Sequence, residues 1–380
     1  MVISKKSLQF LLVTFVACIP LVNFANPTAD SLQNQTENVN PDVAHQEADS
    51  SKEKEFNATD LINSHIGDSH DFHIADWNGH AVSMPLPIIL WTNNGLEVFS
   101  SSLFHHDNTG THEVEVNGQK FVKHNEIIYY ADKFKNLSQD DKSAFNFEAR
   151  PLNFSITKLV FSMFLSVIVL FLLFTSLARS YKKNEMAPKG MAGFLEPLVI
   201  FVRDDIAIPN IGEKKYAKFM PYLLTVFFFV WINNLIGLVP FFPFSANLTG
   251  NIYFTFVLAL ITFIITILNA NKNYWGHVFS PPVPKVLYPI MWPIEIIGMF
   301  TKPFALMIRL FANITAGHII ILSLFSLIYI FETAWISPVS GAFVLFMSFL
   351  EMLVAALQAY VFTLLSALFI GQAVEEHDHH

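Results

Sequence analysis

The chain has 380 residues; 53% are hydrophobic, only 14% are charged, and 39 are Phe. A soluble globular domain carries about 25% charged residues, so a single compact water-soluble core is excluded and the chain reads as a membrane protein. The net charge of −8 offers no basic surface for nucleic acid, and the lone cysteine, Cys18, excludes an intramolecular disulfide framework.

Residues 1–25 read as a secretory signal. Lys5 and Lys6 form a basic start, Leu8 to Val22 is an apolar core too short for a comfortable span, and cleavage is expected near Ala25. A lipoprotein cut at Cys18 fits poorly, because Phe15 stands three positions before it. Residues 26–60 are polar, bury little, and are expected to be disordered. From 61 to 155 the chain alternates, and two period-two runs flank Asn117-Gly118, which predicts a hairpin inside a small β-rich domain. The signal would place that domain outside the cytoplasm. Its histidines match no standard metal spacing and no Cys assists them, so no metal is expected.

Residues 156–374 read as membrane. Leu159 to Ala178 is uncharged and long enough to cross about 30 Å of hydrocarbon. Phe219 to Pro240 and Asn251 to Leu268 are further spans. Between the first two lie Arg179, Lys182, Lys183, Lys189, Arg203, Lys214, Lys215 and Lys218, which makes 179–218 cytoplasmic by the positive-inside rule. The first span then runs outside to inside, in agreement with the signal. Within this loop Phe194, Leu195, Leu198, Val199, Phe201 and Val202 alternate with Glu196, Arg203, Asp204 and Asp205. That pattern predicts an amphipathic helix, either on the inner membrane face or packed on a partner.

Two segments are too long for simple spans. Val286 to Phe331 would make a helix of about 69 Å, and Val339 to Gln372 one of about 51 Å. Pro289, Pro293 and Pro303 permit kinks in the first; steep tilt suits the second. The expected fold is therefore an all-α integral membrane protein with about five crossings. It includes a long tilted helical hairpin, one amphipathic interfacial helix and the β-rich N-terminal domain. Residues 375–380 form an acidic, His-rich tail, expected to be solvated.

The hairpin carries few ionisable groups: Arg309 and His318 after Pro303 in its first arm, and Glu351 in its second. A charge at mid-membrane costs at least about 2.5 kcal/mol and points to function. A snorkelling Arg309 and a structural His318–Glu351 pair are the competing readings. Asn313 follows Arg309 on the same face. Folded antiparallel about Thr333-Ala334-Trp335, the hairpin brings His318 opposite Glu351 and Arg309 near Gln358. Arg309 and His318 are nine residues apart, about 180° around the helix. The cation is closer to the cytoplasm and the titratable pair closer to the outside. Imidazole titrates near neutral pH and suits proton transfer. A guanidinium keeps its proton, so it can attract or discharge a carboxylate and block positive charge. The carboxylate itself must come from another chain.

Those residues resemble subunit a of the F-type ATP synthase. The strongest motif is Ile308-Arg309-Leu310-Phe311-Ala312-Asn313-Ile314. Leu357-Gln358-Ala359-Tyr360-Val361-Phe362 is similar to a second signature, and Asn234-Leu235-Ile236-Gly237-Leu238-Val239-Pro240 to a third. Glu196 fits the amphipathic helix, and the Glu375-Glu376-His377 ending is familiar. Met307 departs from the small residue usual before the arginine, Gly237 from the Asp of some members, and the His and Glu of the pair have exchanged helices. The resemblance implies a non-catalytic subunit with two offset proton half-channels. Protons pass His318 and Glu351 to the carboxylate of a rotor-ring c subunit, while Arg309, aided by Asn313 and Gln358, faces it and prevents a short circuit. It also implies peripheral-stalk b subunits and the rest of the synthase as partners, the bacterial inner membrane as location and a cytoplasmic C-terminus. No cofactor is expected, since no phosphate-cradling Gly-rich loop is present.

The rival class is a secondary transporter in which Arg309 binds an anionic substrate. Such proteins show internal repeats, and the 303–331 pattern has no second copy. A membrane-anchored binding protein working through residues 61–150 is the weaker rival.

Overall fold

The computed structural model describes residues 67–77, 80–137, 148–183, 190–239, 246–279, 284, 287–331 and 336–375. The expected signal sequence, the polar segment 26–60 and the tail beyond Glu375 lie outside the described residues. The chain divides into two compact units. Among the described residues, one holds 67–161 and 318–348, the other 162–317 and 349–375.

The first unit is β-rich at its N-terminal end. Strands β1 (Asp71–Trp77) and β2 (His80–Pro85) form one antiparallel pair. Strands β3 (Pro87–Thr92), β4 (Gly95–Ser100) and β8 (Leu152–Asn153) form a sheet in the order β4–β3–β8. Strands β5 (Val114–Val116), β6 (Gln119–His124) and β7 (Ile127–Tyr130) form a third sheet, followed by the single turn α1 (Ala131–Phe134). The hairpin read from Asn117-Gly118 is present between β5 and β6. Both turn residues take positive φ, 47° and 78°, the two-residue turn whose twist matches that of the strands. Alternation along β3 buries Ile88, Leu90 and Thr92, and Ile88 and Leu90 join Phe104, Val114, Phe121 and Ile128 in a core.

A buried ionic network ties the sheets together. Lys123, on β6, is 1% exposed and lies 3.3 Å from Glu126 Oε1 and 3.5 Å from Asp71 Oδ2. Two carboxylates compensate the ammonium, as a buried charge requires. Glu126 Oε2 also accepts the His70 backbone N–H at 3.0 Å and lies 3.1 Å from His70 Nδ1. Burial alone would raise the Glu126 carboxyl; the His70 hydrogen bonds and the Lys123 charge outweigh it and lower it to about 2.

The β-rich part joins the first long helix, α2 (Lys158–Lys183), without a linker. Phe154 N–H donates to Ile89 O, Ile156 N–H to Pro87 O, and Lys158 N–H to Ser69 O. Asp68 Oδ1 accepts the Leu159 N–H at 3.1 Å, capping one of the orphan donors of the first turn. Burial pushes the Asp68 carboxyl up, against the lowering pull of Thr157.

The second unit is helical. Helix α3 (Met191–Phe201) runs through a π-turn (Val202–Ala207) into α4 (Ile208–Ile211), where the amphipathic pattern predicted a helix. Leu195, Val202, Ile206 and Ala207 are buried, while Phe194 and Ile200 are exposed. Then come α5 (Tyr216–Leu238), α6 (Ile252–Leu268) and α7 (Lys272–Phe279), the last two meeting at 103°. The long helices α8 (Tyr288–Phe331) and α9 (Ile336–Val374) belong in part to each unit. Among the described residues four helices are long and apolar enough to cross a membrane, or five if the bent pair counts as one span. The protein is a multi-pass membrane protein.

The question of breaks in the long segments is answered by their continuity. Helix α8 runs unbroken for 44 residues through Pro293 and Pro303, and α9 for 39. At 1.5 Å per residue these are about 66 and 58 Å long, roughly twice the hydrocarbon thickness. The C-terminal end of α9 is held by donors to its last carbonyls. Lys215 Nζ and Asn271 Nδ2 reach Val374 O at 2.7 and 2.8 Å, and the Asn271 N–H reaches Ala373 O at 2.8 Å. Beside this end a Cβ on Gly371 would fall 1.8 Å from Asn210 O, so only glycine admits the close approach of α4.

Candidate functional site

Helix α8 has a packed face and an open face around Arg309. Leu306, Met307, Leu310 and Ile314 are buried. Ala305, Ile308, Arg309, Ala312, Asn313 and Ala316 are exposed at three- and four-residue spacing, which makes one continuous stripe. Three of the six are alanine, so a neighbour can come close to the Arg309 side chain. Among the described residues Arg309 has no hydrogen-bond or ion-pair partner. Asn313 sits one turn further along the same stripe. Met307, the departure from the family pattern, is on the packed face and leaves the stripe clear.

Helix α9 turns the opposite character inward. Glu351, Ala355, Gln358, Ala359 and Phe362 are all buried, and Glu351 and Gln358 share that face as their seven-residue spacing requires. The Glu351 carboxylate lies against Gly317 of α8. His318, the next residue in the chain, is half-buried. The expected match in height between Arg309 and Gln358 joins an exposed group to a side chain 3% exposed. The two side chains thus stand in different environments.

Asn234, buried on α5, bridges three elements. Its Nδ2 donates to Ala355 O of α9 at 3.3 Å, and its Oδ1 accepts from Thr249 Oγ1 at 2.6 Å. Thr249 lies in the 3-10 turn Leu248–Gly250, whose Gly250 O accepts from Thr315 Oγ1 of α8 at 3.5 Å. Asn233 is also buried and donates to Phe229 O. Sequence reasoning found Asn234 but passed over Asn233, Asn247, Thr249, Thr315 and Gly317. The signal was available, since Asn247-Leu248-Thr249-Gly250-Asn251 is a polar run between two spans and irregular polar backbone at membrane depth must line something. A second buried polar chain joins Tyr222 OH to Thr262 Oγ1 at 2.6 Å, with Ser366 Oγ 3.5 Å beyond. Glu196, on α3, accepts a hydrogen bond from Tyr181 OH at 2.8 Å, linking α3 to the end of α2.

In the β-rich region His105 and His112 form an edge-to-face pair with centroids 5.0 Å apart. Among the described residues no three His, Cys, Asp or Glu side chains are grouped to hold a metal ion.

An exposed guanidinium with no partner among the described residues on one double-length helix, and a buried carboxylate and amide on the other, belong to a multi-pass helical membrane protein. Residues 160–371 match the model of the ATP synthase A chain family, and the chain belongs to that family. Residues 61–154 match a domain of unknown function (DUF8433). The chain is 50% identical over 238 residues to ATP synthase subunit a of Chloroherpeton thalassium, covering 61% of this chain and 70% of that one. It is 48% identical over 241 residues to ATP synthase subunit a 2 of Chlorobaculum tepidum, covering 61% and 67%.

Proposed function

We propose that this chain is the stator half of the proton channel in an F-type ATP synthase, with Arg309 as the fixed cation that a rotor carboxylate meets. The observation that carries this reading is the exposure of Arg309, without a partner among the described residues, on an alanine-rich stripe of α8. A guanidinium in hydrocarbon is costly unless paired, so a carboxylate on a neighbouring ring of c subunits completes it.

Protons enter from outside past His318 and Glu351 and neutralise that carboxylate. The neutral carboxyl turns through lipid and returns to the inner half-channel, where Arg309 favours release of its proton by pairing with the anion. Arg309 never carries the proton itself, so it separates the two half-channels. Asn313 lies beside it on the stripe to hydrogen-bond the carboxylate, and Gln358 and Asn234 hold the helices behind. Each charge crossing 100 mV releases about 2.3 kcal/mol, and several steps accumulate for one ATP made elsewhere in the complex.

In this reading the β-rich domain faces the outside, the 179–218 segment and the C-terminus face the cytoplasm, and Glu196 sits on the inner-face helix toward peripheral-stalk b subunits. The test is ATP-driven acidification of inverted membrane vesicles from wild type and Arg309→Ala, with assembly checked on a native gel. Loss of pumping in an assembled complex is the expected result. Full pumping would remove Arg309 from the mechanism and reopen the transporter reading.

A further inference from the structure

The sheet β4–β3–β8 has one face in the core and one without cover among the described residues. The uncovered face carries Ile89, Trp91, Leu96, Val98, Leu152 and Phe154. Register sets Ile89 beside Val98, and Trp91 between Leu96 and Leu152. Trp91, Leu96 and Val98 are 56%, 58% and 59% exposed. No charged side chain stands at an outward position of these strands, since Glu97 points inward and is 4% exposed. A contiguous apolar patch of this kind marks a membrane or partner contact.

We propose that this face lies in the membrane–water interface beside the entry of α2, with lipid as its occupant. The argument is one of attachment. Phe154 is four residues from Lys158, where the first membrane helix begins, so the patch lies within about 14 Å of that point along the chain. The attachment is also stiff. Backbone bonds hold Phe154 and Ile156 to β3, and Ser69 and Asp68 receive the N–H groups of Lys158 and Leu159. The face therefore cannot swing away from the end of the span. Its composition suits the same occupant, because Trp concentrates at the headgroup level. The domain rests on the bilayer through this sheet.

The test uses the full chain reconstituted in phosphatidylcholine vesicles. In a Cys18→Ser background, Leu96→Cys and Leu152→Cys chains are labelled with an environment-sensitive fluorophore. Lys120→Cys, at a half-exposed position on β6, is the control, and the β-sheet infrared band verifies that each labelled chain is folded. Labels at 96 and 152 emit to the blue of the control and lose roughly half their emission to lipids bearing a nitroxide near the headgroup, as insertion of 5–10 Å implies. Emission like that of the control at both sites would overturn the proposal, since the face would then be in water. Blue-shifted emission untouched by the nitroxide lipid would also overturn it, since the cover would then be protein.

Discussion

Glu351 occupies space that only a glycine at 317 leaves open. A Cβ on Gly317 would fall 2.9 Å from Glu351 Oε1 and 3.1 Å from its carboxyl carbon. The carboxylate of α9 is thus seated against the backbone of α8, immediately before His318 in the chain. Any side chain at 317 must push it away.

Gly317→Val is therefore expected to displace the Glu351 carboxylate by about 1 Å and to lower the initial rate of ATP-driven acidification by up to about 100-fold, the cost of misplacing a reacting group by that distance. Gly317→Ala, with a single methyl, has the smaller effect. Assembly on a native gel stays at the wild-type level in both. A Val variant that pumps at the wild-type rate would show that the position of Glu351 does not matter to transfer.

Arg309→Lys separates charge from geometry. Lysine keeps the charge but replaces a planar fork with a compact ammonium. Losing a charge-assisted hydrogen bond worth about 1.5–3 kcal/mol lowers pumping roughly 10- to 100-fold, with assembly intact. Retention of the full rate by lysine would mean that the site requires only a positive charge.

Asn234→Ala removes both the donor to Ala355 O and the acceptor of Thr249. The Thr249 hydroxyl is left with the 3.5 Å contact to Asn247 Oδ1 and Ala355 O with its helical bond, so two hydrogen bonds worth about 0.5–1.5 kcal/mol each are lost. Thermal unfolding of the detergent-solubilised full chain should shift down by several degrees. An unchanged midpoint would mean that the turn at Leu248–Gly250 packs on α5 without this bond.

The β-rich domain should weaken in acid because of Glu126. Its carboxyl is lowered to about 2 in the folded chain from its ordinary value of 4.5, so the unfolded state takes up the proton first. The stabilisation is complete above about pH 5 and is lost as pH falls through the folded value near 2. Following the β-sheet infrared band on heating at pH 6, 4 and 3 should show a falling midpoint. Glu126→Gln should start lower and fall less. Parallel curves for the two chains would exclude Glu126 as the source.

Membrane class, a set of about four or five long apolar helices, the Asn117-Gly118 hairpin and the double length of α8 and α9 were legible in the sequence. Each follows from a local property: a run of apolar residues long enough to span hydrocarbon, a turn dipeptide tolerant of positive φ, an apolar run about twice the length of a span; that α8 continues through Pro293 and Pro303 does not. Arg309, His318 and Glu351 stood out for the same reason, as isolated ionisable groups in apolar runs. Helical spacing could also put Glu351 and Gln358 on one face. It could not say which face is packed, because that depends on what lies against the helix. Tertiary structure decided that Arg309 is open while Gln358 is enclosed, that Gly317 makes room for Glu351, and that the turn at Leu248–Gly250 joins Asn234 to Thr315. It also decided that Asp68 caps a helix 91 residues away and that Trp91 and Leu96 stand on an uncovered sheet face. These are contacts between segments far apart in the chain. Their partners are chosen by packing and hydrogen-bond satisfaction across the whole molecule, which no local pattern records.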